Sequence, residues 1–198
     1  MKMKKEKLQY YEVYNHYILW NTALKNLSLA TPESKDAKFY ALGTMLLSFF
    51  AFEGYLNWLG SKIAYDVWNE EKQFFSREPF IGTLGKYRFL AMLLRLPSPN
   101  AASSFFQTAT LLSELRDSAV HPKPEFGSRI VKFSGNHYPP HYQGSLEKAV
   151  SPELAVRAKE HLEALAEELH REACAAYPGV INSTNAFGPL YGYEITDA

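Results

Sequence analysis

The sequence has a single cysteine, Cys174, in 198 residues. One cysteine excludes an internal disulfide and a cysteine-based zinc cluster, and it favours a reducing cytoplasm over a secreted compartment. Net charge is also absent, since 21 Lys and Arg balance 21 Asp and Glu. The composition therefore gives no whole-chain case for a polybasic nucleic-acid-binding or membrane-surface protein, although a local patch or a dimer groove can still be basic.

Long hydrophobic runs are lacking too. The most apolar stretch begins at Phe39 and is interrupted by Glu53, so its uncharged part covers only about 14 residues, short of the length that spans a bilayer. The basic start, Met1 to Lys7, leads into Tyr-rich amphipathic sequence, and we expect no secretory signal there. We therefore expect a soluble cytoplasmic protein that makes no membrane contact.

What the chain does have is a large apolar fraction, 46% hydrophobic and 15% aromatic residues, with helical spacing almost throughout. Strand-like alternation is short and rare. This pattern predicts an all-α fold, an up-and-down bundle of about five helices. We expect residues 1–178 to form a single helical domain, followed by an extended C-terminal tail over 179–198.

The expected helices can be placed by their apolar stripes and by the residues that begin or end helices. The expected ranges are Lys5 to Leu27, a long helix from about Thr31 to Asn69 that bends near Gly60, Tyr87 to Leu96, a helix that Asn100 or Ser103 caps and that ends before Pro122, and a last helix from Ser151 to Pro178. A long loop over 121–150 precedes the last helix and includes one alternating piece, Ile130 to Phe133. Loops of this length are often functional.

The strongest chemical signal is the segment from Leu115 to Pro122. Its Arg116 and His121 are five positions apart, so on a regular helix their side chains point about 140° apart, and they converge only if the last turn unwinds. A guanidinium binds phosphate oxygens in a fork, and an imidazole moves protons near neutral pH. Such a pair can cut RNA without metal. The alternative is structural: a histidine that interacts with the helix dipole and an arginine in a surface ion pair with Asp117.

A second signal lies on the long helix, where Glu53 interrupts an apolar stripe and Asn57 follows four residues later on the same face. A carboxylate on such a stripe reaches the end of the bundle, pairs with an arginine, or joins a hydrogen-bond network. If Glu53 pairs with Arg116, it either orients a catalytic arginine or neutralises a buried one.

These two stretches resemble the HEPN superfamily, which comprises small α-helical domains, many of them ribonucleases. Arg116, Asp117 and His121 match its Arg–polar–x3–His motif, and the stretch from Phe52 to Asn57 resembles the acidic and amide positions of its earlier helix. The resemblance implies a bundle with two antiparallel central helices and a homodimer in which two Arg/His pairs line one cleft. It also implies catalytic roles for Arg116 and His121, the polar position for Asp117, and a supporting role for Glu53.

On this resemblance we expect a metal-independent RNA endonuclease without a cofactor, serving as a toxin or a defence component and controlled by an antitoxin or regulatory protein. The family also contains non-catalytic members, so a dimerisation or binding module is the alternative. A third possibility is an unrelated bundle, in which the helices of Glu53 and Arg116 do not pack together.

The remaining candidates are weaker. His121, His137 and His141 offer a three-histidine metal site, but Pro139 and Pro140 exclude a helix between the last two. A flexible loop that lies across bound RNA is the better interpretation, with Tyr138 or Tyr142 stacking on bases and Asn57 as a further substrate contact. Cys174 is expected to be a packed residue, and His161 and His170 are expected on a solvated helix face.

Overall fold

The computed structural model describes residues 7–11, 14–126, 144–181, 183–188 and 193–197. Within these ranges the chain is predominantly helical, with five helices of 12 residues or more, three short helices and one pair of short strands. In chain order the elements are β1 (Lys7–Tyr11), α1 (Asn15–Leu29), α2 (Ala37–Ile63), α3 (Tyr65–Asn69), α4 (Glu71–Phe74), α5 (Gly82–Leu93), α6 (Ser104–Val120), α7 (Ser145–Lys148), α8 (Pro152–Ala176) and β2 (Tyr193–Asp197).

Helix α2 lies at the centre of the bundle and packs against α1, α5, α6 and α8. Because neighbours cover it on several sides, its buried residues are not confined to one stripe. Its fully buried large side chains are Met45, Phe49, Phe52, Tyr55, Leu56 and Leu59. The core of the protein is therefore built around α2.

The direction of the helices follows from the residues that meet. Thr44 donates its hydroxyl to the Ala23 carbonyl, while Gly54, later in α2, lies against His16, earlier in α1, so these two helices are antiparallel. Helix α8 begins just after Val150, which lines a cavity with Leu42, and it reaches the Tyr55 hydroxyl with His170, so α8 runs parallel to α2.

Helix α6 runs in the opposite direction to α8. Thr108, near the start of α6, bonds to His161 of α8, whereas Ser118, near its end, lies beside Leu146 and Ala149, which precede α8. Because α8 is parallel to α2, helices α2 and α6 are antiparallel, and they are in direct contact. The helices of Glu53 and Arg116 therefore do pack together.

The N-terminal expectation was wrong: helix α1 begins at Asn15, and the expected helical stretch before it forms β1 instead. β1 pairs antiparallel with β2, with Lys7 opposite Asp197 and Tyr11 opposite Tyr193. The C-terminal segment also packs on the body, because the Phe187 ring stacks on Trp20 of α1 at 4.0 Å between ring centroids. Because β1 and β2 lie at opposite ends of the chain, local periodicity does not predict that they pair.

Other boundaries combine confirmed and corrected expectations. Ser103 caps α6 by accepting a hydrogen bond from the Phe106 N–H at 3.2 Å, and Ser151 caps α8 in the same way from Leu154 at 3.1 Å. Helix α2 begins later than expected, at Ala37, and ends at Ile63 because Ala64 leaves the helical region (φ −147°). This break turns α3 back, and its Trp68 then packs on Gly60, which lacks the Cβ that would overlap the indole.

Helix α2 is also the one helix of the described ranges that is long and apolar enough, by length and composition alone, to cross a membrane. Half of its most apolar 18-residue stretch is buried inside the protein. Core helices of soluble proteins share this property.

The contact between Gly60 and Trp68 generates a stability prediction. Alanine has the higher helix propensity by about 1 kcal/mol, so propensity alone favours Gly60→Ala. Because the added methyl group would overlap the indole ring, we expect a net loss of roughly 1–3 kcal/mol in the free energy of unfolding instead. Denaturant titration measures it. Gly144→Ala is the control, since a Cβ there makes only ordinary contacts; equal effects of the two variants would contradict the prediction.

Candidate functional site

The C-terminal end of α6 presents His121 to solvent. The helix stays regular through Val120, and the His121 N–H donates to the Asp117 carbonyl at 3.0 Å, so the last turn does not unwind before Pro122. His121 is exposed and lines an open cleft of about 760 Å³ together with Asp117, Ser118, Lys123 and Glu125. Among the residues that the structure describes, none forms a hydrogen bond with the His121 ring. Its imidazole is accessible to a ligand.

The far side of this cleft is formed by α7. The carboxylate of Glu125 accepts hydrogen bonds from the Ser145 hydroxyl at 2.5 Å and from the Ser145 N–H at 3.0 Å. The hydroxyl bond, followed by the backbone bond, lowers the pKa of the exposed Glu125 carboxyl. These bonds join the segment after His121 to the start of α7, and they give the cleft a defined wall.

Arg116 is not among the residues that line that cleft. Its guanidinium carbon lies 5.9 Å from the centre of the Phe49 ring on α2, and its Nη1 lies 3.2 Å from a carboxylate oxygen of Asp117. The side chain is 28% exposed, and its buried Nε has no hydrogen-bond partner within the described ranges. Because the helix does not unwind, a single chain does not bring Arg116 and His121 into one cleft.

Glu53 and Asn57 meet a different basic residue, Lys86 of α5. Lys86 Nζ lies 2.8 Å from Asn57 Oδ1 and 3.4 Å from Glu53 Oε1, and it also forms an ion pair with Glu71 of α4. Lys86 is 4% exposed. The acid on the α2 stripe is thus matched by a buried lysine rather than by Arg116, and the network fixes α4 and α5 on α2.

Lys86 was not among the expected site residues, although one signal in the sequence indicates it. Thr83, Lys86, Leu90 and Leu94 follow helical spacing, and all four are buried. A lysine on such a stripe needs a buried acid, just as Glu53 on its own stripe needs a base. Glu53 and Lys86, two opposite charges on apolar stripes, are therefore expected to pair with each other.

A second buried polar cluster surrounds His170, which is 3% exposed, so the expectation of a solvated face was wrong for this residue. Its Nε2 lies 3.1 Å from the Ser183 carbonyl oxygen, and its Nδ1 lies 3.3 Å from the Tyr55 hydroxyl. Since a carbonyl only accepts, Nε2 carries a hydrogen. His170 thus joins the C-terminal segment to α2 and α8.

His161 is half-buried, and its ring bonds to the Thr108 hydroxyl at 2.8 Å.

Cys174 borders the His170 cluster, with its sulfur 3.5 Å from His170 Nε2. Burial, and then the negative charge of Glu167, raises the pKa of the Cys174 thiol. Burial, with the same carboxylate and the thiol as smaller causes, also raises the pKa of Tyr55. A raised pKa keeps the thiol protonated at neutral pH, which agrees with a packed residue rather than a nucleophile.

Tyr138 and Tyr142 lie outside the described residues, as do His137, His141 and the segment Ile130 to Phe133. In the ranges that are described, no group of three His, Cys, Asp or Glu side chains is arranged to hold a metal ion.

Comparisons of the chain with family models, with curated proteins and with solved structures give no match. Function is therefore inferred from the residues themselves.

The Lys86 network generates a second stability prediction. Lys86→Met keeps most of the side-chain volume but leaves Glu53 and Glu71 without their cation, so we expect a loss of roughly 1–3 kcal/mol in the free energy of unfolding. Lys159→Met is the control, because Lys159 forms an ion pair with Glu163 one helical turn away, worth roughly 0.5 kcal/mol or less. Chemical denaturation of both variants measures the difference; a Lys86→Met variant as stable as the control would show that the network is dispensable.

The raised pKa of Cys174 generates a third prediction. Alkylation requires the thiolate, so at pH 8 the folded protein should react with iodoacetamide more slowly than the unfolded chain. Glu167→Gln removes the charge that disfavours the thiolate, so it should raise the rate in the folded state. Mass spectrometry of timed samples gives the rates. Equal rates for folded and unfolded protein would show an exposed, ordinary thiol.

Proposed function

We propose that this chain is a helical domain of the HEPN type that acts as a metal-independent RNA endonuclease, in the role of a toxin or a defence component. The observation that carries the proposal is the exposed imidazole of His121, in an open cleft at the end of the helix that also bears Arg116. The antiparallel packing of α2 and α6 supports it. We include in the proposal a cytoplasmic location, a homodimer, and control by an antitoxin or regulatory protein.

The proposed reaction needs only these side chains and water. The ribose 2′-hydroxyl attacks the adjacent phosphorus while a base takes its proton, the bond to the 5′ oxygen breaks, and an acid protonates that oxygen. His121 serves as the base or the acid, and water takes or gives the other proton. Arg116 stabilises the charge that develops on the phosphate. The products are a 2′,3′-cyclic phosphate and a 5′-hydroxyl.

The placement of Arg116 makes the second chain necessary. In one chain His121 faces the cleft while Arg116 rests on Phe49, so we propose that the complete site takes Arg116 from one protomer and His121 from the other. The contact with Asp117 then holds the guanidinium in position. Glu53 and Asn57 contribute through Lys86 to the stability of the bundle in this proposal, and they do not touch the substrate.

One observation favours a second candidate, a non-catalytic dimerisation or binding module. Asp117 neutralises Arg116, and the Phe49 ring covers part of the guanidinium. An arginine whose charge is satisfied within its own chain attracts a phosphate less strongly. The two candidates differ in whether RNA is cut.

The first test is cleavage of end-labelled single-stranded and structured RNA by the purified chain in EDTA. We expect a 2′,3′-cyclic phosphate product, with rates lower by about 10²- to 10⁴-fold in His121→Ala and about 10²- to 10³-fold in Arg116→Ala. His161→Ala and the exposed Arg157→Ala are matched controls that should retain activity. Absence of cleavage by a folded dimer would overturn the nuclease proposal and favour the binding module.

Mixing the two inactive variants tests the shared site. If Arg116 and His121 come from different chains, a heterodimer of Arg116→Ala and His121→Ala keeps one intact site of two. Because half of the randomly exchanged dimers are heterodimers, activity should return to about one quarter of the unmutated level. Failure to recover activity after confirmed subunit exchange would contradict a site shared between chains.

A further inference from the structure

Helix α7 connects the His121 cleft to a second cavity. Leu146 of α7 lines the cleft with His121, and it also lines a cavity of about 450 Å³ with Lys35, Lys38, Phe39 and Leu42. The two depressions therefore meet at Leu146. A ligand that occupies the cleft can extend across α7 into the second cavity.

The second cavity presents an aromatic ring to solvent. Phe39, in the first turn of α2, is 75% exposed, although the rest of this helix supplies the core. A single exposed apolar residue is ordinary on a protein surface, and by itself it indicates no ligand. The residues around Phe39 and the continuity with the His121 cleft distinguish this one.

Two lysines flank the ring. Lys35 is exposed and forms no ion pair or hydrogen bond through its side chain within the described ranges. Lys38 Nζ lies 3.5 Å from Glu147 Oε1, and both side chains are more than one third exposed, so solvent weakens this pair. Glu147 also lines the cavity, and its carbonyl oxygen lies 3.4 Å from Lys38 Nζ, so Lys35 is the freer of the two cations. A flat ring beside lysines matches an unpaired base and its phosphates, since bases of any identity stack on aromatic side chains while lysines follow the backbone.

We propose that Phe39, Lys35 and Lys38 form a stacking site for an unpaired base of single-stranded RNA whose backbone crosses α7 to the His121 cleft. The choice of RNA as the ligand rests on the proposed function. The site therefore favours a single-stranded substrate of several nucleotides, because a paired base offers no free face to Phe39. It lies outside the reacting atoms, so it acts on binding and not on the chemical step.

Binding is measured separately from cleavage. Fluorescence anisotropy with a labelled 12-nucleotide single strand carrying 2′-O-methyl groups needs no catalysis, because that strand lacks the attacking hydroxyl. Phe39→Ala should weaken binding by about 5- to 100-fold. Phe39→Trp should bind within about twofold of the unmutated protein, since indole stacks as well as phenyl. Lys35→Met should reduce the salt dependence of binding by about one phosphate contact.

Tyr65→Ala is the matched control. Tyr65 is 67% exposed and follows the other end of α2, about 40 Å from Phe39 along a helix of this length. It should leave binding unchanged. With an unmodified RNA strand as substrate, Phe39→Ala should show a raised KM and an unchanged kcat. The same variant should cleave a dinucleotide with unchanged kinetics.

The outcomes separate the two proposals. Loss of binding in Phe39→Ala without any cleavage by the unmutated chain would support the stacking site and reject the nuclease. Cleavage with equal binding by Phe39→Ala and the unmutated chain would overturn the stacking site alone. A change of oligomeric state in Phe39→Ala, measured by light scattering, or equal affinity for double-stranded RNA would also overturn it, the first by making Phe39 a protein contact.

Discussion

The burial of α2 is the constraint on which the rest of the structure depends. Four helices of 12 residues or more contact this element, so its middle must be apolar on most sides, and a charge there requires a partner inside the bundle. Glu53 is that charge, and Lys86 is its partner. The pairing fixes α5 and α4, while the Phe49 ring determines where the guanidinium of Arg116 can rest. The divided placement of Arg116 and His121 thus begins with the packing around α2.

The local signals in the sequence predicted much of this fold. Ser103 and Ser151 cap helices as expected, the helix of Arg116 ends before Pro122, and helical periodicity indicated the dominant secondary structure. These features depend on neighbours within a few residues, and such neighbours are visible in a sequence. The strand β1, the return of α3 onto Gly60 and the burial of His170 depend on partners much farther along the chain, and periodicity does not report those.

The candidate site was predictable in its parts and not in its geometry. The motif of Arg116, Asp117 and His121 is plain in the sequence, and so is the misplaced charge of Glu53. Whether Glu53 pairs with Arg116 or with Lys86 depends on how α5 packs on α2. The apolar stripes on which Glu53 and Lys86 lie do not by themselves predict that packing. The exposed imidazole and the half-covered guanidinium are the basis of our proposal that two chains share the site.

The stacking of Phe187 on Trp20 joins segments that are separated by almost the whole length of the chain, as do the paired strands β1 and β2. Contacts of such long sequence separation raise the contact order of an otherwise helical protein, whose helices form from near neighbours. The loop-closure entropy for these contacts must be overcome before they stabilise anything. The C-terminal segment can therefore stabilise α1 only after a loop of nearly the whole chain has closed.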